Sequence, residues 1–471
     1  MTEQIAIWWI RKDIRLEENP IVNWARDNKF VIIPLFILDS ILLEGNYTNK
    51  KRNQFLFGGL ASLHTNLQEK GGKLTILKGG IIESLKKVMA STGSNLILAE
   101  ADYSSYSISR DKKIIQELPL KFIDSPAVLL PGSIVKKDGN PYQVFTAFRN
   151  EWIKKVQIPI SSPNSQLGSI LVPGSDIASE NDQIYRSEST STFFPPGEKE
   201  ALIKLSEFTE GVSAPIYTYA INRDRVDKDG TSRLSPYIKF GMISPKKIVF
   251  QAFQAIRNAP NLEAQKSAEI WLNELIWRDF YIHILFHYPS VINTNFRKMN
   301  IAWDNDPKNI QAWKEGKTGY PIVDAGMHQL INTGWMHNRA RMITASFLTK
   351  DLLVHWKIGE EFFMQNLIDG DPSSNNGGWQ WTAGTGTDAA PYFRIFNPIT
   401  QSKVCDPDGK FIRTWLPELS FLPDKYIHEP WKTPLEIQQK SNCLIGTDYP
   451  FPIIDHKFAR ERVLKAYGSK Y

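Results

Sequence analysis

Short apolar runs alternate with amphipathic segments through the first 130 residues. IAIWWI (5–10), FVIIPLFIL (30–38), KLTILKG (73–79) and NLILAEA (95–101) read as strands, apolar enough to be buried on both faces. NQFLFGGLASLHTNLQEKGG (53–72) and ESLKKVMASTG (83–93) read as helices closed by glycine. This alternation predicts an α/β domain at 1–130, a Rossmann-like, doubly wound parallel sheet. From about residue 160 to 198 the apolar period disappears and Ser, Pro, Gly, Asn and Asp dominate, so 131–198 is read as an interdomain linker. Beyond 199 apolar residues recur at three- and four-residue spacing, as in ALIKLSEFTEG, ISPKKIVFQAFQAIRN, SAEIWLNELIWRDFYIHILF, MHQLINTGWMHNRARMITASFLTKDLL and EEFFMQNLIDG. Residues 199–471 are therefore expected to form a larger all-α domain.

Composition narrows the classes. The chain has 471 residues, enough for two or three domains, with 42% hydrophobic and 23% charged residues, as in soluble globular proteins. A net charge of +6 favours a polyanionic partner only weakly. Two cysteines, Cys405 and Cys443, are too few for a disulfide framework and lack metal-ligand spacing, so a reducing compartment is expected. The run IAIWWI is stopped at once by Arg11, Lys12 and Asp13, unlike a signal peptide, and no stretch approaches a membrane span. A soluble cytoplasmic protein follows as the expectation. The chain contains no G-x-G-x-x-G after the first strand, no phosphate-binding G-x-x-x-x-G-K, no G-x-S-x-G and no H-E-x-x-H. Its eight histidines form no set, so no metal is expected, and an enzyme of this kind would rely on a cofactor.

Several helices carry polar residues in places that ask for a use. In WLNELIWRDFYIHIL (271–285), Leu272, Ile276 and Phe280 lie on one side; Trp271, Glu274, Trp277, Arg278 and Tyr281 lie on the other. That second side is either solvated or the lining of a cavity. In GWMHNRARMITASFL (334–348), Asn338, Arg341, Met342 and Ala345 share a stripe, with Asn338 expected inside the helix, where Asn competes with the backbone. In RDRVDKDGTSRLSPYIKFG (223–241), Thr231 and Ser232 are expected to cap the following helix. With Arg233 and Ser235 they would form an anion cradle, an ordinary cap being the alternative.

The stretch NNGGWQWTAGTGTDAAPYFR (375–394) has the composition of a loop, yet it carries Trp379 and Trp381 two positions apart. Residues i and i+2 of extended chain share a face, so pointing the two indoles apart requires the segment to turn helical or bend. Gly377 and Gly378 would let a planar group come close to the backbone.

Together, WWIRKDIRLEENP, DGTSRLSPYIKFGMIS, NELIWRDFY, GWMHNRARM and LIDGDPSSNNGGWQWTAGTGTDAAPYFRIFNPITQ resemble the DNA photolyase/cryptochrome family over residues 5–431. Within the family the chain looks most like class I cyclobutane pyrimidine dimer photolyases. The resemblance implies FAD in the helical domain and a second antenna chromophore, methenyltetrahydrofolate or 8-hydroxy-deazaflavin, at the α/β domain. It implies that Tyr219, Thr231, Ser232, Arg233, Leu234, Ser235, Trp271, Arg341, Asp369, Gly370, Asp371 and Asn375 bind the flavin. Arg341 would pair with Asp369, and Asn375 would face flavin N5. Glu274, Asn338 and Met342 would meet the lesion, with Asn375 among the catalytic residues. Trp303, Trp356 and Trp379 would pass electrons. Arg223, Glu274, Trp277, Arg278, Tyr281, Asn338, Arg339, Trp381, Arg394 and Gln401 would contact DNA. The implied activity is light-dependent repair of pyrimidine dimers in DNA by a monomer.

Two departures matter. Folate-using members carry an acidic residue where Ser107 stands, whereas Tyr106, Arg110 and Asp111 resemble deazaflavin-using members. A (6-4) photoproduct enzyme would carry a His pair where this chain has Met336, His337 and Asn338. The rival reading is a cryptochrome photoreceptor without repair. Signalling members have a long C-terminal tail, and about 40 residues follow Trp431 here. A DNA-binding structural protein without chemistry is the third reading, and a colourless preparation would favour it.

Overall fold

The computed structural model describes residues 4–45, 48–157, 193–391 and 394–468. The chain packs as two compact units, Met1–Tyr217 with Ser232–Pro289 and Thr218–Thr231 with Ser290–Tyr471. Most of the Ser/Pro-rich connection, 158–192, lies outside the described residues.

In the first unit, five parallel strands, β1 (Gln4–Trp9), β2 (Phe30–Leu38), β3 (Thr75–Lys78), β4 (Leu96–Ala99) and β5 (Leu120–Phe122), lie in the order β3-β2-β1-β4-β5. Ile7 of β1 sits between Ile33 of β2 and Ile97 of β4, and all three side chains are buried. The pattern predicted four of these strands. β5 escaped it because an edge strand of three residues, mostly exposed, has no apolar run to announce it.

Helices α1 (Pro20–Asp27), α2 (Lys50–Gln68), α3 (Ile81–Thr92) and α4 (Ser105–Glu117) follow the strands. α1 and α4 are set by their caps: the Asn19 carboxamide accepts N–H bonds from Ile21 and Val22, and the Ser104 hydroxyl accepts one from Ser107. α5 (Phe145–Lys155), α6 (Glu198–Thr209), α7 (Ser235–Phe240), α8 (Pro245–Arg257) and α9 (Leu262–His287) complete this unit. Gly241 ends α7 at φ 62°, and a Cβ there would stand 1.6 Å from the Lys12 carbonyl oxygen, so only glycine lets α7 close on the β1 loop.

The second unit is helical among its described residues. Its main elements are α10 (Pro321–Thr333), α11 (Asn338–Ser346), α12 (Trp356–Asn366), α13 (Pro372–Ala383), α14 (Pro398–Cys405) and α15 (His456–Gly468). The single helix expected over 327–353 is divided: Gly334, at φ 74°, closes α10. His337 then opens α11, its Nδ1 accepting the Arg339 N–H at 3.1 Å, and a π-helical turn follows at Phe347–Asp351. Asn338 is thus the first residue of α11 rather than an interior one. A large core runs through this unit, including Trp313, Met336, Phe347, Trp356, Phe363 and Trp379.

The loops at the carboxyl ends of β1 and β4 hold buried charge. Arg11 grips Asp111 at 2.9 and 2.7 Å, and Arg15 reaches Glu100 at 3.3 Å. Desolvation pushes the Glu100 carboxyl from 4.5 to about 8; Arg15 opposes this, while Asp13 and Asp124 add to it. Because the folded protein holds this proton more tightly than the unfolded chain, its stability falls as pH rises through the interval from 4.5 to about 8. A neutral isostere removes that slope. Glu100→Gln is expected to gain on the wild type by roughly 3 kcal/mol between pH 5 and 9 in urea unfolding. Equal pH dependence in the two proteins would show that Arg15 keeps Glu100 ionised throughout.

Candidate flavin and DNA sites

In the first unit, α9 presents the residues expected from its pattern, with one change. Trp271 is buried and packs on Phe208 at 5.1 Å between ring centroids, so it belongs to the core side. Glu274, Trp277, Arg278 and Tyr281 are half-buried. Trp277 lies flat on Phe145 of α5, centroids 3.7 Å apart, with Tyr281 at 5.5 Å, so its indole orientation is fixed by packing. Arg278 donates from Nη1 to the Pro126 carbonyl at 2.6 Å.

No local pattern points to Asp279. It is buried beside these residues and accepts N–H bonds from Val128, Leu129 and Trp152 Nε1 at 2.9–3.2 Å. Burial pushes its carboxyl up, while Arg278 and those donors pull it back. Its role is to hold the 126–129 turn against α9.

The cap expected from Thr231 and Ser232 is not formed. α7 begins at Ser235, the N-cap position falls on Leu234, and no side chain caps it, since Thr231 and Ser232 lie before the cap position. Arg233 adopts φ 50°, a left-handed conformation that costs a non-glycine residue energy and gathers at ligand sites. Backbone N–H groups at this helix start are therefore left to partners other than a cap.

In the second unit, the residues expected around a flavin are tightly organised. Arg341 Nη2 meets Asp369 Oδ2 at 2.8 Å, and Arg341 Nε donates to the Met336 carbonyl at 2.8 Å. The other Asp369 oxygen, Oδ1, is buried with no hydrogen-bond partner among the described residues. A buried acceptor left in this state suits a donor on a bound ligand. Asp371 caps α13, its carboxylate accepting the N–H groups of Ser373 and Ser374 at 3.1 and 3.2 Å.

α13 supplies the helical turn that the opposed indoles of this stretch require, over residues 375–383. In a helix, positions i and i+2 are separated by about 200° around the axis. Trp379 is accordingly buried in the core and Trp381 is half-exposed on another face. Trp379 lies against Gly359 of α12, where a Cβ would stand 2.1 Å from Trp379 Cη2. At Gly378 a Cβ would meet nothing within 4 Å, so that flank of α13 is open rather than tightly packed.

Asn375 donates from Nδ2 to the Glu360 carbonyl at 2.9 Å and to Glu360 Oε1 at 3.2 Å. Both partners only accept, so the amide nitrogen must face them and the Asn375 oxygen points away. Glu360, which pattern reading missed, is buried and also held by Lys357 Nζ at 2.8 Å. Burial raises its carboxyl, against the pull of Lys357 and Asn375.

The three tryptophans expected to pass electrons are also ordered. Trp356 Nε1 donates to Asn295 Oδ1 at 2.8 Å. The His355 ring stands 5.4 Å from Trp356 and 5.3 Å from Trp303, centroid to centroid. Desolvation and Lys357 lower the His355 pKa, with Glu361 opposing, so the ring is neutral near pH 7.

Among the expected DNA contacts, Asn338 is exposed, with Nδ2 3.8 Å from Met342 Sδ. Arg339 pairs with Asp224, and the Arg223 guanidinium lies 5.4 Å from the Tyr219 ring centre. Arg394, exposed, stands over Trp381 at 5.8 Å. Gln401 is half-buried on α14.

This geometry can be set beside known proteins. Residues 6–165 match the family model described as DNA photolyase, and residues 271–469 match that of the FAD binding domain of DNA photolyase. The chain is similar to the deoxyribodipyrimidine photo-lyase of Salmonella typhimurium, at 38% identity over 98% of each chain. It is similar to the crystal structure of a bacterial class III photolyase from Agrobacterium tumefaciens, with TM-score 0.90 and 34% identity over 100% of this chain and 98% of that one. A cryptochrome from Synechocystis sp. PCC6803 gives TM-score 0.87 and 27% identity over 99% of each chain. With both family models in register and a 38% identical relative matched end to end, the chain belongs to the DNA photolyase/cryptochrome family.

Proposed function

We propose that this protein is a DNA photolyase that repairs cyclobutane pyrimidine dimers by light-driven electron transfer to a dimer flipped out of the duplex. The observation that carries this reading is the end-to-end likeness to a relative named deoxyribodipyrimidine photo-lyase. Assignment to the class I branch rests on the motif blocks alone. We further assign residues 1–130 to antenna binding, 131–198 to the interdomain connection, and 199–471 to flavin and DNA binding. The protein acts as a monomer, in the compartment that holds DNA, and uses no metal.

Bound FAD, in its reduced state, supplies on excitation the electron that opens the cyclobutane ring. The chain's own residues do the rest. In the first unit, the left-handed Arg233 and the uncapped start of α7, with Ser232, Leu234 and Ser235, serve the diphosphate, and Trp271 packs beside it. In the second unit, Tyr219, Thr231, Asp369, Gly370 and Asp371 hold the flavin. Asp369 Oδ1 would accept from a ligand donor, while Arg341 bonds the other carboxylate oxygen. Asn375, held through its Nδ2 by Glu360, would offer its carbonyl oxygen to the bound flavin. Trp303, Trp356 and Trp379 would relay electrons from an external reductant to the oxidised form of the bound group.

A dimer within duplex DNA cannot reach a buried ring, so it must be everted at a cost of a few kcal/mol, least for a poorly stacked pair. Trp277 and Trp381 give flat apolar surface to the everted bases, and Glu274, Asn338 and Met342 meet their edges. Arg223, Arg278, Tyr281, Arg339, Arg394 and Gln401 supply backbone contacts. The antenna is undecided between folate and deazaflavin. At the place of the acidic folate contact, the Ser107 hydroxyl is engaged with Asp102 at 3.0 Å and Ser104 at 2.9 Å, which weighs against folate. A cryptochrome without repair is the alternative.

The test is direct: the absorption spectrum of the purified protein, then a thymine-dimer oligonucleotide incubated in light and in darkness. Flavin bands and light-dependent restoration of thymines are expected; a flavoprotein that leaves dimers intact in light would favour the photoreceptor. Glu274→Ala is expected to lower repair yield roughly tenfold or more while flavin content holds, as for a lost transition-state contact. Parallel loss of both would remove Glu274 from the lesion. Trp379→Phe is expected to lose most light-driven reduction of the oxidised flavin, yet to repair normally once reduced with dithionite. Photoreduction at the wild-type rate would take Trp379 out of the electron path.

A further inference from the structure

The step from Trp356 to Trp303 leads from a fully buried indole to a half-buried one, and one imidazole touches both. His355 lies 5.4 Å from Trp356 between centroids, with 29° between the planes, and meets Trp303 at 5.3 Å and 71°. Hydrogen bonds set its place. Its backbone N–H donates to Asn305 Oδ1 at 2.8 Å, and its Nδ1 accepts the Lys357 N–H at 3.1 Å, which caps α12. The Asp304 N–H reaches the Leu353 carbonyl at 2.9 Å. These bonds staple residues 303–305 to 353–355, and Leu353 and Asn305 adopt φ 56° and 54° within the junction. Left-handed backbone at two non-glycine residues is strain that the surrounding contacts hold in place.

We propose that His355 is a positioning residue of the electron path, holding Trp356 and Trp303 together through a ring that its capping bond keeps uncharged. The inference rests on the assignment of Trp303, Trp356 and Trp379 to electron transfer, and adds a residue to it. Each electron passed inward leaves a positive charge that moves outward, from Trp379 to Trp356 to Trp303. There an external one-electron reductant, a thiol, refills it. Because Nδ1 already accepts the Lys357 N–H, a proton can enter there only by breaking the cap, and the neutral ring carries its hydrogen on Nε2. Burial disfavours the imidazolium further, as does the Lys357 charge, with Glu361 opposing. The other charges nearby are paired, Lys357 with Glu360 on α12 and Asp304 with Arg462 of α15, each at 2.8 Å. Lys350 lies over the Tyr467 ring that packs on Trp303, and burial lowers its amine to about 7. A cation at His355 would stand within 5.4 Å of both indoles, centroid to centroid, and repel the charge at the step that brings it to the surface.

The experiment uses the full-length flavin-loaded protein in its oxidised form, with a thiol in solution. His355→Asn keeps a capping acceptor without the ring, and His355→Phe keeps a neutral ring without the cap. Flavin content of each preparation reports folding. The rate of light-driven reduction is followed by absorption from about pH 8 to about pH 5, the interval in which an imidazole charges. In darkness, the ring carbon chemical shifts of His355, assigned by their loss in His355→Asn, report its tautomer and pKa without turnover. His355→Asn is expected to slow reduction roughly tenfold or more near the top of this interval, as for a misplaced reacting pair. His355→Phe, with ring packing preserved, should retain most of the rate. The wild-type rate should fall as the imidazolium forms, below pH 6.5, and both variants should lack that fall while keeping any change that comes from Lys350. The shifts should show the Nε2–H tautomer and a pKa below 6.5.

The wild-type rate in His355→Asn overturns the proposal, and so does a loss in His355→Phe as deep as that in His355→Asn, since the ring would then not matter. The same fall at low pH in every protein, or an Nδ1–H tautomer in the wild type, also overturns it, because the uncharged ring would not be the cause. Failure of the underlying reading is distinguishable, because it appears elsewhere, in a wild type that light does not reduce or in Trp379→Phe reduced at the wild-type rate.

Discussion

The second unit depends on one unfavourable helix being made to form. α13 contains Asn375, Asn376, Gly377 and Gly378 in succession, and each glycine costs about 1 kcal/mol relative to alanine in a helix. It forms because its ends and flank are tied. Asp371 takes the first N–H groups, Gly384 closes the helix at φ 81°, and Gln380, buried, bonds the Val291 carbonyl at 2.8 Å and the Phe296 N–H at 2.9 Å. Tertiary bonds override propensity here, and they do so where bare backbone and two oppositely directed indoles are both needed. An alanine at Gly378 would help the helix and fill the open flank.

Around that helix, polar groups are held by specific hydrogen-bond partners, which fixes their orientation. Glu360 orients Asn375, Arg341 orients Asp369, and Asn295 orients Trp356. Each has low freedom to reorganise when charge moves nearby, which is the property a site for electron transfer needs. His355 extends this order, its neutral ring set between Trp303 and Trp356.

The first unit handles charge differently. At the ends of β1 and β4, Arg11, Arg15, Glu100 and Asp111 are buried in pairs, and the balance of desolvation against attraction leaves Glu100 reluctant to ionise. In the second unit, by contrast, the Asp224 side chain is 47% exposed where it meets Arg339, so water screens that pair more than the pairs of the first unit.

Local pattern alone carried much of this. Apolar runs located four of the five strands, periodicity located most of the long helices, and the spacing of α9 separated Ile276 and Phe280 from Trp277 and Tyr281. Those signals survive because burial of one face is written residue by residue. Motif resemblance, not periodicity, named Asn375 and Asp369. What the chain's local pattern could not decide were features made by residues far apart in it. Asp279 on residues 128, 129 and 152, Glu360 beneath Asn375, and Asp224 between Arg223 and Arg339 have no local signature. The helical state of 372–383 and the break at Gly334 belong to the same class, since Asp371, Gln380 and the close packing on Gly359 outweigh the preferences of the segment itself. Sequence determined which faces are apolar and which residues can do chemistry; tertiary contact decided which of those residues are held, and in which direction, because long-range hydrogen bonds and packing are worth more than the local propensities they oppose.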